Sequence, residues 1–236
     1  KNSFHDHFKK IGVDILFEDQ SFEIIADNKK TYRTLHWINS QGEPVGSYHK
    51  NTLVPFGEYL PWYRELKLLY QAFNVPISDL TAGKKAAFFR SNGMTITPAI
   101  CIESLDFDLI GNKIGTQGAG KVLVVVSQDG WYGDYLTQVT QHSYVTNLRA
   151  IENRVPLVHV ITNGPSYAVS PTGTYIFKSP HLKRGSWVID LPYSPHEGGS
   201  FYSRYPSWFL NLTRIIVIFL FIFAIIPRPK KNLQHQ

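Results

Sequence analysis

The sequence predicts an α/β protein that ends in one membrane-spanning helix. Short apolar runs typical of buried strands alternate with helix-like segments along most of the chain, which is the pattern of an α/β domain. A separate apolar stretch near the C-terminal end is long enough to cross a membrane. We therefore predict a folded domain over residues 1–206, a transmembrane helix over 207–227 and a basic cytoplasmic tail over 228–236.

The first part of the chain is predicted to form a helix, a strand, a hairpin and a second helix. Residues 4–11 are helix-like, and residues 13–19 are a short apolar run that suits a buried strand. Two alternating runs within residues 30–50 flank Ser-Gln-Gly at 40–42, which predicts a hairpin. A second helix is predicted over residues 62–73. Its apolar face could pack on the core of the domain or contact lipid, and the sequence leaves both possibilities open. That face consists of Trp62, Leu66, Leu69, Tyr70 and Phe73.

The alternation continues through the second part of the chain. Strands are predicted over residues 94–102, 121–127 and 156–162, and the apolar middle of the second indicates burial on both faces, as in a helix-covered sheet. A helix is predicted over residues 137–153 and a hairpin over 167–177. No internal repeat interrupts this order, so one α/β domain accounts for the pattern.

The C-terminal apolar stretch predicts a membrane span with a defined orientation. An unbroken apolar run extends from Ile215 to Ile226, and adding the residues back to Trp208 gives the roughly 17 to 25 residues that a span needs. A buried core helix is the alternative, but the flanking residues argue against it. The sequence PRPKK follows at once, which suits the cytoplasmic side, while Trp208 and Tyr205 suit the opposite interface. The folded domain would then face away from the cytoplasm.

Composition excludes several classes of function. The net charge is +6, but the basic residues are scattered and no nucleic-acid-binding module accompanies them, so we expect no nucleic-acid partner. A negatively charged membrane surface is the better partner for this charge. The single cysteine excludes an intramolecular disulfide. Histidines at metal-ligand spacing are lacking apart from the pair His5 and His7, so no metal site and no cofactor are predicted.

Cys101 is the candidate nucleophile. It ends the predicted strand MTITPAI, and a strand end exposes a thiol while the sheet holds it in place. Most lone cysteines are small buried hydrophobic residues, so this position alone is a weak signal. A thiol becomes a useful nucleophile beside a cation or a base. Lys50 is the candidate cation, and Glu58 follows it within a stretch that Pro55 and Gly57 make rigid.

Four segments carry a resemblance to a known family. They are YHKNTLVPFGEYLPW, PAICIES, SQDGWYG and QHSYVTNLRAIENRVPLVHVITNGPSYAVSPTG. Together they resemble the nitrilase superfamily, and specifically its apolipoprotein N-acyltransferase branch, in the family's order from about residue 30 to residue 226. The resemblance implies a nitrilase-like αββα sandwich followed by the membrane helix. It also implies that Lys50 and Cys101 are two members of a Glu-Lys-Cys triad.

The same resemblance implies roles for five further residues. Glu58 and Glu103 match two glutamates that support the site in the acyltransferase branch. The Ile102 backbone N–H, together with the triad lysine, would form the oxyanion hole, although the Ile102 side chain departs from the family's frequent tyrosine. Trp131 and Tyr132 match a mobile aromatic loop that flanks the acyl pocket, so they are the predicted substrate-binding residues.

The implied activity is N-acyl transfer at a bacterial membrane. A fatty acyl group would pass from a phospholipid to the cysteine as a thioester, and then to the N-terminal amine of a diacylglyceryl-cysteine lipoprotein. The catalytic domain would lie on the periplasmic face of the inner membrane. Two alternatives stay open. One is a membrane-anchored nitrilase-like amidase in which water resolves the thioester, and the other is a non-catalytic, membrane-tethered remnant.

The position of the general base is a further expectation. In the family this glutamate lies on a loop before the helix that opens the present chain, so it is expected upstream of Lys1. Glu18 and Glu23 are the nearest carboxylates, but they follow what resembles the next strand, and neither is assigned the role. On this interpretation the chain is the C-terminal part of a longer enzyme, truncated at its N-terminus, and has little activity alone because loss of a general base costs about 10²- to 10⁴-fold in rate.

Overall fold

The fold is built from two β-sheets and six helices in the part of the chain that the structure describes. That part comprises residues 2–75, 79–85, 87–91, 93–115, 121–192 and 199–225 of a computed structural model, with the backbone alone for residues 2–5 and 132. The helices are α1 Asn2–Ile11, α2 Tyr63–Ala72, α3 Phe107–Gly115, α4 Leu136–Asn153, α5 Phe201–Arg204 and α6 Trp208–Ile225. The strands are β1 Ile15–Ile25, β2 Asn28–Ile38, β3 Pro44–His49, β4 Phe89–Ser91, β5 Met94–Ile100, β6 Lys121–Gln128, β7 Leu157–Thr162, β8 Tyr167–Val169 and β9 Tyr175–Lys178.

The first sheet is an antiparallel meander in the order β1-β2-β3. Ala26 and Asp27 join β1 to β2 and both have positive φ, 47° and 63°, which matches the twist that a two-residue hairpin turn requires. The predicted hairpin of residues 30–50 is confirmed as β2 and β3. The expectation of a short buried strand over residues 13–19 is wrong in its burial. β1 is an edge strand that continues to Ile25, and its second half is mostly exposed.

The second sheet has the order β4-β5-β6-β7-β8-β9. Its central strands β5, β6 and β7 are parallel, whereas the outer pairs are antiparallel. Helices α3 and α4 make the two crossovers between the parallel strands, as a parallel sheet requires. The predicted strands, helix and hairpin of this half are all confirmed to within a few residues.

Two apolar cores separate the layers. One lies between the two sheets and contains Leu35, Tyr48, Phe89, Ile96 and Ile100. The other lies between the second sheet and its helices, where Ile110 of α3 and Val139 of α4 are fully buried with the inner residues of β5, β6 and β7.

Helix α1 covers the opposite face of the first sheet. The ring of Phe8 stacks on Phe17 of β1 at 5.8 Å between centroids, and Phe17 in turn stacks on His36 of β2. The layers therefore run from α1 through the first and second sheets to α3 and α4. This arrangement is the predicted αββα sandwich.

Helix α2 contributes little to either core. Of the predicted apolar face, Tyr70 alone is buried, and its hydroxyl donates to the Pro61 carbonyl. Trp62 and Phe73 are 72% and 73% exposed, and Leu69 is also exposed. Packing on the domain core is therefore the wrong interpretation for these three side chains, although the helix itself is where the periodicity predicts it.

Helix α6 extends away from the sandwich. It is 18 residues long with a mean hydropathy of 2.3, and none of it is buried, so its length and composition suffice to cross a membrane. The residue before α6 contacts the domain, because the Ser207 hydroxyl donates to Asp108 of α3. Helix α5 also packs on α3. The predicted span agrees with this helix up to Ile225, whereas its last two residues and the basic tail 228–236 lie outside the described residues.

Candidate active site

Cys101 lies at the carboxyl end of β5, between the two sheets. It is the first residue of a short 3-10 turn, Cys101–Leu105, and its φ of 52° is in the left-handed region that residues other than glycine seldom adopt. Such backbone conformations cluster at functional sites, where the surrounding structure maintains them. Cys101 belongs to this turn and not to β5, and it is partly exposed. The predicted strand-end placement is therefore correct.

Lys50 and Glu58 form a closely coupled pair beside this turn. Lys50 directly follows β3, is 1% exposed, and donates from Nζ to both carboxylate oxygens of Glu58 at 2.7 and 2.8 Å. The Val54 N–H also donates to Glu58, at 2.8 Å, which fixes the loop between the two residues. The structure thus joins two of the predicted site residues in one charge-assisted contact, and both line a cavity with Cys101.

Glu103 occupies a different position from Glu58, because it is fully buried and binds backbone. One carboxylate oxygen accepts from the Asn51 N–H at 2.5 Å and from the Tyr48 hydroxyl at 2.6 Å. The other oxygen accepts from the Ile100 N–H at 2.7 Å. These bonds connect the segment after Lys50 to the strand end before the nucleophile. Glu103 is therefore a positioning residue rather than a group that faces the cavities.

A buried lysine completes the surroundings of Glu103. Lys113 of α3 donates to the Tyr48 hydroxyl at 2.5 Å and to the Pro98 carbonyl at 3.2 Å. Burial lowers the pKa of Lys113 to about 8, against the opposing attraction of Glu103. Burial also raises the pKa of Tyr48, with the Glu103 charge acting in the same direction, so its hydroxyl stays protonated and remains a donor.

The Cys101 thiol is harder to ionise than an ordinary cysteine. Burial is the largest cause and raises its pKa, Lys50 opposes this, and the charge of Asp129 raises it again. The expectation that Lys50 favours the thiolate is right in direction, but burial outweighs it. The resting nucleophile is consequently a thiol, and its attack on a carbonyl requires that the proton be moved to another group.

The Ile102 backbone N–H, which is expected to contribute to an oxyanion hole, lies next to the nucleophile. The Ile102 backbone N–H lies within hydrogen-bonding reach of the Cys101 sulfur, which lowers the pKa of the thiol slightly against the effect of burial. The Ile102 side chain, in contrast, forms part of an apolar cavity wall.

Two cavities of opposite character meet at Cys101. The first has a volume of about 420 Å³ and a mainly polar lining that includes Glu18, Arg33, Lys50 and Glu58. The second has a volume of about 510 Å³ and a mainly apolar lining. Its apolar side chains are Val54, Ile102, Leu105, Trp131 and Val145. The thiol therefore has a polar compartment on one side and an apolar compartment on the other.

The predicted aromatic residues lie in the turn Asp129–Tyr132, which follows β6. Trp131 is 76% exposed and lines both cavities, so it stands at their common mouth. The backbone of Tyr132 belongs to the same turn, and its side chain lies outside the described part of the structure. The structure thus places Trp131 beside the mainly apolar cavity, and its contact with an acyl chain stays a prediction.

A buried chain of hydrogen bonds connects the two turns of the site. His142 of α4 contacts the Asp129 carboxylate through Nδ1 at 3.1 Å and the Ser104 hydroxyl through Nε2 at 3.0 Å. Thr146 donates to the same hydroxyl at 2.7 Å. This chain fixes the nucleophile turn relative to the aromatic turn. In the sequence, the only signal for this chain is the i, i+4 spacing of His142 and Thr146 on one helix face, and it was not recognised.

The cavity residues Arg33 and Gln128 were not singled out from the sequence, and Glu18 was considered there without being assigned a role. Arg33 of β2 pairs with Glu18 at 3.3 Å and donates to Gln128 of β6 at 3.3 Å, so it bridges the two sheets. The period-2 alternation of β1 places Glu18 on the same face as Leu16, which was the available signal. Among the described residues, no group of three or more histidine, cysteine or acidic side chains could hold a metal ion.

Comparison with known proteins shows the family and the fold of the chain. The Carbon-nitrogen hydrolase family matches residues 9–193. The chain belongs to that family. Among solved structures, an amidase from Nesterenkonia sp. AN1 superposes with a TM-score of 0.62 and 14% sequence identity, covering 91% of this chain and 74% of the amidase. At this identity the likeness shows the nitrilase-like fold alone.

Curated members of the carbon–nitrogen hydrolase family are more similar in sequence. The apolipoprotein N-acyltransferase of Pseudomonas paraeruginosa is 30% identical over 187 residues, which are 79% of this chain and 35% of that protein. The apolipoprotein N-acyltransferase of Rickettsia bellii is 30% identical over 208 residues, which are 85% of this chain and 39% of that protein. The chain therefore spans well under half the length of these relatives, and its similarity supports acyl transfer of the carbon–nitrogen hydrolase type.

Proposed function

We propose that this chain carries the acyl-transfer centre of an apolipoprotein N-acyltransferase. The observation that carries the proposal is the position of one thiol between a polar and an apolar cavity. A fatty acyl group has an apolar chain and a polar reacting end, so the apolar cavity suits the chain while the polar cavity receives the groups that leave and arrive. The similarity to curated N-acyltransferases supports the same activity.

The reaction proceeds through a thioester in two steps. In the first, the Cys101 sulfur attacks the ester carbonyl of a phospholipid, a C–S bond forms, and the C–O bond breaks. The thiol proton passes through a base to the leaving alkoxide, giving a lysophospholipid. Lys50 and the Ile102 N–H stabilise the oxyanion, a role in which one donor contributes about 10²- to 10³-fold in rate. In the second step, the N-terminal amine of a diacylglyceryl-cysteine lipoprotein displaces the sulfur.

The substrates proposed here require a membrane location. Helix α6 supports attachment by its length and its lack of burial. We place the sandwich on the periplasmic face of a bacterial inner membrane, because the basic segment that follows the helix in the sequence suits the cytoplasmic side. Trp131, at the mouth of the apolar cavity, would contact the acyl chain as it enters.

The rival function is a membrane-anchored amidase in which water resolves the thioester. The fold is shared with an amidase, but that likeness does not distinguish the two reactions. The apolar cavity favours acyl transfer, because a small amide has no need of about 510 Å³ of apolar space beside the nucleophile. Formation of an N-acylated peptide, as opposed to free fatty acid, separates the two.

The acyl-enzyme is the direct test. In an enzyme that also supplies the general base expected upstream of Lys1, incubation with phospholipid vesicles is expected to add one acyl group to Cys101, seen by intact mass spectrometry and removed by hydroxylamine. The adduct is expected to disappear in Cys101→Ala, since that substitution removes the only thiol of the chain. An adduct of equal yield in Cys101→Ala would show that another residue is acylated and would overturn the assignment.

The orientation gives a second prediction. A thiol reagent that cannot cross the membrane is expected to label Cys101 in spheroplasts, whose outer face is accessible, because the proposed topology places the site there. Labelling yield before and after lysis is the measurement. A yield that rises severalfold on lysis would reverse the orientation of α6.

A further inference from the structure

Lys113 is a buried lysine that connects the two sheets. It lies on α3, in the crossover from β5 to β6, and it is 2% exposed. Its ammonium group donates to the Tyr48 hydroxyl of β3 at 2.5 Å and to the Pro98 carbonyl of β5 at 3.2 Å. The same nitrogen lies 3.9 Å from the centroid of the Tyr48 ring. One cation thus contacts both the strand that precedes Lys50 and the strand that precedes Cys101.

Tyr48 connects this charge to Glu103. The Tyr48 hydroxyl, which accepts from Lys113, donates to one Glu103 carboxylate oxygen at 2.6 Å. The other described partners of that carboxylate are neutral backbone N–H groups, and among the described residues Glu103 forms no ion pair within 4 Å. Burial of a carboxylate without a compensating charge is costly. Lys113 therefore compensates the charge of Glu103 through one hydroxyl group.

Glu103 in turn holds the backbone on both sides of the site. It accepts from the N–H groups of the two residues that follow Lys50, at 2.5 and 3.2 Å, and from the N–H of the residue before Cys101, at 2.7 Å. Cys101 itself has a left-handed φ of 52°, a conformation that persists only where the surrounding structure maintains it. A displacement of about 1 Å between reacting groups can cost about 10²-fold in rate. The chain of contacts that begins at Lys113 thus ends at the backbone of both reactive residues.

We propose that Lys113 is a positioning residue for the acylation of Cys101. Its ammonium group holds the Tyr48–Glu103 pair, and this pair holds Lys50 beside the thiol. Lys113 is not part of the wall of either cavity at the sulfur, so it acts through these residues and not on a substrate. This inference rests on the proposed acyl transfer, and it extends the site to a residue of the helix layer.

The positioning role requires the charged form of Lys113. Burial lowers the pKa of Lys113 to about 8, and the charges of Glu103 and Asp106 oppose this decrease. Tyr48 also faces this nitrogen, and burial raises the pKa of its hydroxyl. At about pH 7 most molecules therefore carry the lysine ammonium next to a protonated tyrosine. A substitution compared at this pH reports on the loss of that ammonium group.

The test measures the reactivity of the thiol separately from the number of folded molecules. The full 236-residue chain in detergent is mixed at about pH 7 with p-nitrophenyl octanoate, an activated ester whose leaving group needs no proton. The burst of nitrophenolate gives the number of thiols that react and their rate constant. Lys113→Met is expected to lower the rate constant by about 10-fold, because Lys50 is no longer held in place. The pH profile of iodoacetamide alkylation is expected to move to higher pH, since Lys50 is the largest influence that lowers the pKa of the thiol.

Tyr48→Phe tests the route between Lys113 and Glu103. It keeps the ring and both charges but removes the hydroxyl between them, so it is expected to lower the rate constant as Lys113→Met does. Because both substitutions break one chain of contacts, the double variant is expected to react no more slowly than the slower single variant. Additive losses would overturn the inference, and so would a wild-type rate constant in Tyr48→Phe. This variant alone decides the question if Lys113→Met does not fold.

The matched control is Lys121→Met. Lys121 is also a buried lysine, but it begins β6 and pairs with Thr95 near the start of β5, whereas Cys101 follows the other end of β5. Its substitution is expected to leave the rate constant and the alkylation profile unchanged, even if fewer thiols react. The same behaviour in Lys113→Met would show that Lys113 supports the fold alone and would overturn the inference. A wild-type thiol that iodoacetamide alkylates but the ester does not acylate would instead overturn the proposed function.

Discussion

Lys50→Met is expected to slow acylation of Cys101 by about 10²- to 10³-fold, because it removes the cation that stabilises the developing oxyanion. It is also expected to raise the pKa of the thiol further, since the Lys50 ammonium is the largest influence that lowers it. Single-turnover release of nitrophenolate from p-nitrophenyl octanoate measures the first effect. The pH dependence of iodoacetamide alkylation, which reports on the thiolate alone, measures the second.

The control for this substitution is Lys29→Met, which removes one positive charge from an exposed position on β2. It is expected to leave both the acylation rate and the alkylation profile unchanged. If Lys50→Met acylated at close to the wild-type rate, Lys50 would have no part in stabilising the oxyanion, and its bond to Glu58 would be structural only.

Glu103→Ala is expected to destabilise the sandwich by about 3–5 kcal/mol, because it leaves buried donors without their acceptor and Lys113 without its nearest carboxylate. Urea unfolding in detergent, followed by tryptophan fluorescence, measures the loss. Glu103→Gln is not expected to rescue the stability. Its amide nitrogen would have to face one of the donors that the carboxylate now accepts from, such as the Ile100 N–H.

The comparison variant is Glu65→Ala, at an exposed position on α2. Its effect on stability is expected to stay within about 0.5 kcal/mol, as for most surface substitutions. Equal unfolding midpoints for Glu103→Ala and the unchanged protein would contradict the account of Glu103 as the link between the Lys50 segment and the nucleophile turn.

The elements of the second sheet could be predicted because local pattern decides them. The middle of a strand such as β6 is apolar because the helices cover one of its faces and the first sheet covers the other, and this composition is visible in the sequence. The Cys101 position could be predicted for a similar reason, because an apolar strand that ends at a polar segment marks the carboxyl edge of the sheet. Pro55 and Gly57 predicted a rigid loop between Lys50 and Glu58, and the hydrogen bond from the Val54 N–H to Glu58 agrees with this.

What could not be predicted depends on contacts between distant segments. Lys113 is charged and lies in a helix, and nothing in its neighbourhood indicates that it reaches Tyr48, 65 residues away in the sequence. Glu18 follows an apolar run, so it was read as the end of a strand rather than as part of a cavity. Its inward direction becomes evident only when β2 supplies the pairing register.

Helix α2 shows what an apolar pattern in the sequence leaves undecided. Its apolar periodicity predicts a helix correctly, yet the same periodicity cannot state which surface the apolar face meets. Trp62 and Phe73 are exposed, so that face is available to something other than the core. The periodicity of the apolar residues identifies the helix, whereas the burial of its apolar face depends on the tertiary arrangement.

The hydrogen bond between Ser207 and Asp108 has a consequence for how the reaction rate depends on substrate concentration. Because this hydrogen bond joins α3 of the sandwich to the residue before α6, an embedded α6 would keep the sandwich at the membrane surface. Encounters then depend on the number of substrate molecules per unit of surface, not per volume of solution. Adding inert detergent or neutral lipid at constant total substrate should therefore lower the turnover rate, which is the surface-dilution behaviour of enzymes that search in two dimensions.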